Sequence, residues 1–182
     1  MRTAVVYYSE TGNTAKVAAA MAAALSAEAP GEETIFSTVQ DAPPLNDRDM
    51  VFVGMPIVRF GAPEAASAFL AEHCPGRRVA LFVTHTAPDY LEQLPGWLDA
   101  CRQAAACAEL VGLFHCQGAL AEPVRQFMLG SSDPILAQFA EMASCADGQP
   151  DSAALARAAE FARETVARAQ LESADSREAA AV

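Results

Sequence analysis

Ser9-Glu10-Thr11-Gly12-Asn13-Thr14 gathers hydroxyls, an amide and a glycine in one short stretch. It follows the strand-like run Thr3-Ala4-Val5-Val6-Tyr7-Tyr8 and opens an Ala-rich, helix-like segment. A strand that breaks into such a loop and then a helix is suited to holding a phosphate. N–H groups at a helix N-terminus have no intrahelical partner, and the helix dipole favours an anion there. The side chains of Ser9, Thr11, Thr14 and Asn13 offer further donors, and Gly12 lets the backbone come close. The loop holds no Lys or Arg, so dipoles rather than a point charge would do the binding. The G-x-x-x-x-G-K-[ST] arrangement, which uses a lysine, is absent. A plain helix cap uses the same residue types; the position after a hydrophobic strand favours the anion site.

Other chemistry-bearing residues are dispersed. Five cysteines, at 74, 101, 107, 116 and 145, include no C-x-x-C pair and read as free thiols, mostly buried. His73-Cys74 and His115-Cys116 lack the spacing of a four-ligand metal centre, so no metal is expected. The net charge of −11, from 12 Lys and Arg against 23 Asp and Glu, repels nucleic acid and anionic membranes. It suits solubility or docking to a basic partner. No apolar run is long enough to span a bilayer. The N-terminus shows no signal-peptide pattern, which points to a cytoplasmic protein.

The elements that must position the loop alternate along the chain. Strands are expected at 3–8, 34–37, 49–54, 78–84 and 109–116. Helices are expected at 13–28, from about Pro63, at 90–107 and at 152–170. Val17, Ala20, Met21, Ala24 and Leu25 form the apolar stripe of the first helix, which Pro30-Gly31 ends. Leu155, Ala159, Ala162, Val166 and Ala169 form that of the last. Five strands joined by helix-length segments give a parallel sheet with helices on both faces, a three-layer α/β domain. A single domain is expected over 1–171, with a partly helical extra segment at 121–150 and a flexible tail at 172–182. Asp151 or Ser152 is the expected cap of the last helix.

The strand followed by Ser9-Glu10-Thr11-Gly12-Asn13-Thr14 resembles the flavodoxin family, whose FMN-phosphate loop has the form Ser/Thr-x-Thr-Gly-Asn-Thr. The resemblance covers residues 1–120 best. It implies a doubly wound sheet of strand order 2-1-3-4-5, with FMN as cofactor at the carboxyl ends of the strands. Residues 9–14 would take the phosphate. The loop containing Pro56, Ile57, Val58, Arg59, Phe60 and Gly61 would line one face of the ring. The loop containing Thr84, His85, Thr86 and Tyr90 would run along the pyrimidine end. The family's aromatic, a couple of positions after the proline, is replaced here by Val58, leaving Phe60 either to stack on the flavin or to join the core. Gly61 would allow a peptide flip whose carbonyl meets a protonated flavin N5. Arg59 would either raise the flavin's potential through its charge or face solvent. His85 or Tyr90 would supply a second aromatic; otherwise Tyr90 starts the next helix and His85 is solvated.

Three functions follow from the resemblance. The first is an FMN protein carrying electrons between redox partners, with no acid–base catalytic residue, acting as a monomer or weak dimer and docking a basic face. The second is an FMN-dependent reductase of a quinone-like acceptor using NAD(P)H or a partner, for which the small Val58 leaves room. The third is an accessory subunit that has lost the flavin. A phospho-accepting receiver is excluded because Tyr7, Tyr8 and Ser9 stand where it needs acids. A cysteine phosphatase is excluded because no Cys lies in the phosphate loop.

Overall fold

The computed structural model describes residues 1–29 and 31–180, with side chains described up to Asp175. Its strands are β1 (Thr3–Tyr7), β2 (Ile35–Thr38), β3 (Met50–Pro56), β4 (Arg78–His85) and β5 (Glu109–Gln117). They form one parallel sheet in the order β2-β1-β3-β4-β5. The inner strands are buried on both faces, which is why they read as continuous apolar runs rather than alternating ones.

Successive side chains on a strand point to opposite faces, and each face grows its own core. Val6, Val53 and Leu81 pack with Phe69 and Leu70 of α2 (Glu64–His73) and Leu98 and Cys101 of α3 (Leu94–Ala104). Val5, Phe52 and Phe82 pack with Val17 and Met21 of α1 (Asn13–Glu28) and the alanines of α6 (Ser152–Ala180). Between β5 and α6 the chain forms α4 (Glu122–Leu129), α5 (Pro134–Met142) and a 3-10 turn at Ala143–Ala146. None of the described helices is long and apolar enough to cross a membrane.

Several boundaries and faces differ from the sequence reading. The helix expected at 90–107 covers only Leu94–Ala104, because Pro88–Leu91 form a turn closed by Leu91 N–H to the Pro88 carbonyl at 3.0 Å. The buried stripe of α6 is Ala154, Ala158, Ala162, Thr165 and Ala169, rotated from the expected one. Alanine occurs all round this helix, so periodicity alone is a poor guide to its face. The small stripe lets α6 sit close on Val17, Ala18 and Met21. Ala20 of α1 is only half-buried, while Ala18 takes the core position. Helix α6 continues through Ala180, so most of the stretch read as a flexible tail is helical; residues 181–182 and Pro30 lie outside the described residues. Asp151 rather than Ser152 caps α6, its Oδ1 accepting from Ala154 N–H at 2.8 Å. That bond holds the Asp151 carboxyl below its ordinary pKa.

The thiols divide sharply. Cys74, Cys101 and Cys116 are buried, and burial pushes each up to about 11, whereas Cys107 and Cys145 are exposed. The thiolate is the reactive form, so a disulfide reagent at neutral pH should titrate two thiols in the folded chain and five after denaturation. Rapid reaction of all five in the folded chain would contradict this packing.

Candidate functional site

The loops that leave the carboxyl ends of β1, β3, β4 and β5 converge, and hydrogen bonds cross-brace them. Tyr8 N–H donates to the Gly54 carbonyl at 2.9 Å, and Ile57 N–H to the Thr84 carbonyl at 2.8 Å. Gly118 N–H donates to the His85 carbonyl at 2.8 Å. The buried hydroxyls of Thr14 and Thr84 share a hydrogen bond of 2.8 Å, tying the start of α1 to the end of β4. Asn13 Nδ2 donates to the Ala119 carbonyl at 2.8 Å and to Thr11 Oγ1 at 3.2 Å. A Cβ on Gly118 would lie 2.9 Å from that of Asn13, so this close approach requires glycine.

At the start of α1 the chain turns through Gly12 at φ 86°, a conformation glycine adopts without strain. Ser9 Oγ accepts from the N–H groups of Gly12, at 3.2 Å, and Ala15, at 3.3 Å. Between them the N–H groups of Asn13 and Thr14 lie at a helix end whose N-cap residue, Gly12, has no side chain to offer. The side chains expected to donate to a ligand therefore mainly hold the loop in shape. Glu10 accepts from the Tyr8 hydroxyl, which raises the Tyr8 pKa.

From this helix end runs a cleft of about 350 Å³, within the size range of small-molecule sites. Ser9, Glu10, Thr11, Asn13 and Thr14 line one end. Pro56, Ile57, Val58 and Arg59 form one wall, and Thr84, His85 and Thr86 lie along the floor. The sequence reading did not assign the remaining wall: Gly118, Ala119, Leu120 and Ala121, with Val124 and Met128 of α4. Its available signal was Gln117-Gly118 at the end of the fifth strand. The extra segment thus supplies part of the cleft.

Phe60, Gly61 and Tyr90 are not among the residues lining the cleft. Val58 and Gly61 pair in an antiparallel bridge, Val58 N–H donating to the Gly61 carbonyl at 2.9 Å and Gly61 N–H to the Val58 carbonyl at 3.2 Å. This tight turn forces Arg59 and Phe60 to φ 49° and 69°. Left-handed conformations at two non-glycine residues are unusual and cost energy. The turn places Phe60 against Trp97, with ring centroids 5.1 Å apart, and near Phe139 of α5 at 6.4 Å. Phe60 is 58% exposed, so it does not join the core, and its ring lies against Trp97 rather than in the cleft. Both backbone groups of Gly61, the residue expected to flip its peptide, are engaged in this bridge, and the left-handed conformations fall on its two predecessors. Tyr90, 86% exposed, lies outside both the cleft and the helix that follows it.

His85 is buried rather than solvated. Its Nδ1 lies 3.0 Å from the Ala87 carbonyl, and its Nε2 lies 3.0 Å from Nδ1 of His115. Burial and the neighbouring His115 lower its pKa. His85 is therefore a neutral, fixed ring, unlike a free loop histidine.

The family model described as a flavodoxin domain matches residues 4–163. Among solved structures, two-electron reduced flavodoxin from Megasphaera elsdenii aligns with a TM-score of 0.50 and 20% identity, over 79% of this chain and 99% of that one. The flavodoxin from Streptococcus pneumonia TIGR4 aligns with a TM-score of 0.50 and 17% identity, over 80% and 99%. The azoreductase AzrA aligns with a TM-score of 0.58 and 11% identity, over 90% and 100%. At these identities the likeness concerns the fold. A comparison with curated protein sequences returns no match.

Proposed function

The chain belongs to the flavodoxin domain family, and from that premise we propose that it holds FMN in the cleft and carries electrons between redox partners. The observation that carries this reading is the α1 terminus. It offers the N–H groups of Asn13 and Thr14 to an anion at one end of the cleft, while Ser9 Oγ takes those of Gly12 and Ala15 on either side. The residues present fit the cofactor. Ser9 shapes the phosphate cradle, Gly12 makes its turn, and Thr14 and Asn13 anchor it to β4 and to the Ala119 loop. Pro56, Ile57 and Val58 would face one side of the ring, and Leu120, Val124 and Met128 give the opposite wall apolar cover. Apolar walls exclude water and so strengthen every polar contact inside.

Bound FMN supplies the redox chemistry, and the protein binds, orients and tunes it. His85 and Thr84 hold the floor rigid, since each is hydrogen-bonded within the protein. Arg59 adds a cation at the rim. Glu10, Asp89 and Glu122 are exposed around the same end of the sheet, and with the net charge of −11 they suit a partner with a basic face.

A reductase of a small acceptor is the second reading. It is favoured by Val58 in the wall and by Phe60 facing away, which leave the cleft without an aromatic from this loop. The absorption spectrum of protein mixed with FMN and desalted tests both. Retained flavin bands that NADH or NADPH leaves unbleached, and that dithionite bleaches, are the expected result for a carrier. Bleaching by NAD(P)H alone would transfer the assignment to the reductase, and failure to retain FMN would overturn both.

A further inference from the structure

Where the ends of β4 and β5 meet, His85 and Asp89, four residues apart, converge with His115, thirty residues further along the chain from His85. We propose that these three residues form a site for a divalent ion of the zinc class. His85 also lines the cleft, but the protein alone brings the three ligand atoms together, with or without a flavin.

His115 is paired in the sheet with Val83. Two residues along, on the same face of β4, is His85, so the two imidazoles meet diagonally across adjacent strands. His85 Nε2 and His115 Nδ1 lie 3.0 Å apart, and Asp89 Oδ1 lies 3.8 Å from His85 Nε2. The three ligand atoms fall within 4.8 Å of one another. A tetrahedral ion bound at about 2.0–2.1 Å holds its ligand atoms about 3.3 Å apart. With the His115 ring proton moved to its other nitrogen, the two nitrogens need to open by only a few tenths of an ångström, and the carboxylate to close by about half an ångström on His85 and by at most about 1.5 Å on His115.

The surroundings suit ligation rather than a casual contact. The His85 side chain is 1% exposed, so its Nε2 is aimed inward and cannot turn to water. Its Nδ1–H donates to the Ala87 carbonyl at 3.0 Å, which leaves Nε2 as the lone-pair nitrogen. A metal-bound histidine is commonly fixed in this way, with its other nitrogen donating to a backbone carbonyl. Gln117 Nε2 donates to the same carbonyl at 3.1 Å and so holds the acceptor in place. Two imidazoles and one carboxylate match ions that favour nitrogen with some oxygen. Asp89 lies on the exposed side, which leaves the fourth position to water. The bound ion would clamp the loop after β4 to β5 beside the cleft.

The test is a titration of ZnCl2 into the EDTA-stripped full chain, followed by calorimetry and thermal melting, with and without FMN. One equivalent of micromolar affinity and a raised Tm are expected in both states. His115→Ala and Asp89→Asn should each weaken zinc binding by at least about tenfold. His73→Ala, on the exposed end of α2, should leave it unchanged. Asp89 is exposed, so Asp89→Asn tests ligation without endangering the fold. Binding no tighter than millimolar overturns the proposal. So does binding that survives both substitutions, as capture by the exposed thiols of Cys107 or Cys145 would. Flavin retention is read separately by absorbance, so failure of the zinc site and failure of the FMN reading are distinguishable.

Discussion

Thr11→Glu should lower FMN affinity by about tenfold to a hundredfold while leaving riboflavin affinity unchanged. Thr11 is exposed in the loop that precedes α1, so a longer side chain there meets no packed neighbour. The cradle attracts an anion through backbone dipoles and contains no cationic side chain to offset a new negative charge. A carboxylate beside the phosphate position is screened by solvent but offset by no cation of the cradle, and a ligand without phosphate does not feel it. Quenching of flavin fluorescence, titrated with each ligand, separates the two. Equal losses for FMN and riboflavin would mean that the substitution disturbs the loop's shape, and the assignment of residues 9–14 as the phosphate cradle would fall.

Gly54→Ala should be the most damaging single methyl group in the molecule. Gly54 lies in β3 opposite Phe82 of β4, and the Phe82 ring covers its Cα. A Cβ built on Gly54 would stand 2.0 Å from Cε2 and 2.1 Å from Cζ of that ring. Phe82 is fully buried among Val17, Met21 and Phe52, so the ring has no free volume to enter. Overpacking of this severity costs about 3 kcal/mol or more. The same carbonyl that Tyr8 N–H uses belongs to Gly54, so the cleft should loosen with the sheet. Urea denaturation of the variant measures the loss. In a Phe82→Leu background the cost of Gly54→Ala should shrink markedly, because the clashing ring atoms are gone. An equal cost in both backgrounds would rule out the ring as its cause.

The parts of this molecule that the sequence reveals are those governed by local physics. β1, β3 and β4 are buried on both faces and announce themselves as unbroken apolar runs. The 9–14 loop carries its hydroxyls, amide and glycine in contiguous order, and its chemistry can be read without tertiary information. The parts that stay hidden depend on neighbours distant in sequence. Phe60 follows Arg59 into a left-handed turn, and only the Val58–Gly61 bridge reveals that the ring faces Trp97. His85 and His115 meet because β4 and β5 are adjacent, with their register shifted between Val79 and Ala80. No linear spacing encodes that contact. In α6, alanines on every side erase the contrast by which a buried face is ordinarily recognised.

The left-handed pair at Arg59 and Phe60 also determines where this protein can be improved. Asn-Gly adopts such a turn with far less strain, so selection for heat resistance alone should drift toward those residues at 59 and 60. The drift would remove a cation from the rim of the cleft and an aromatic from the surface beside it. A library screened for melting temperature and then for flavin affinity should therefore show opposed rankings at these two positions, while at Gly54 both rankings should fall together.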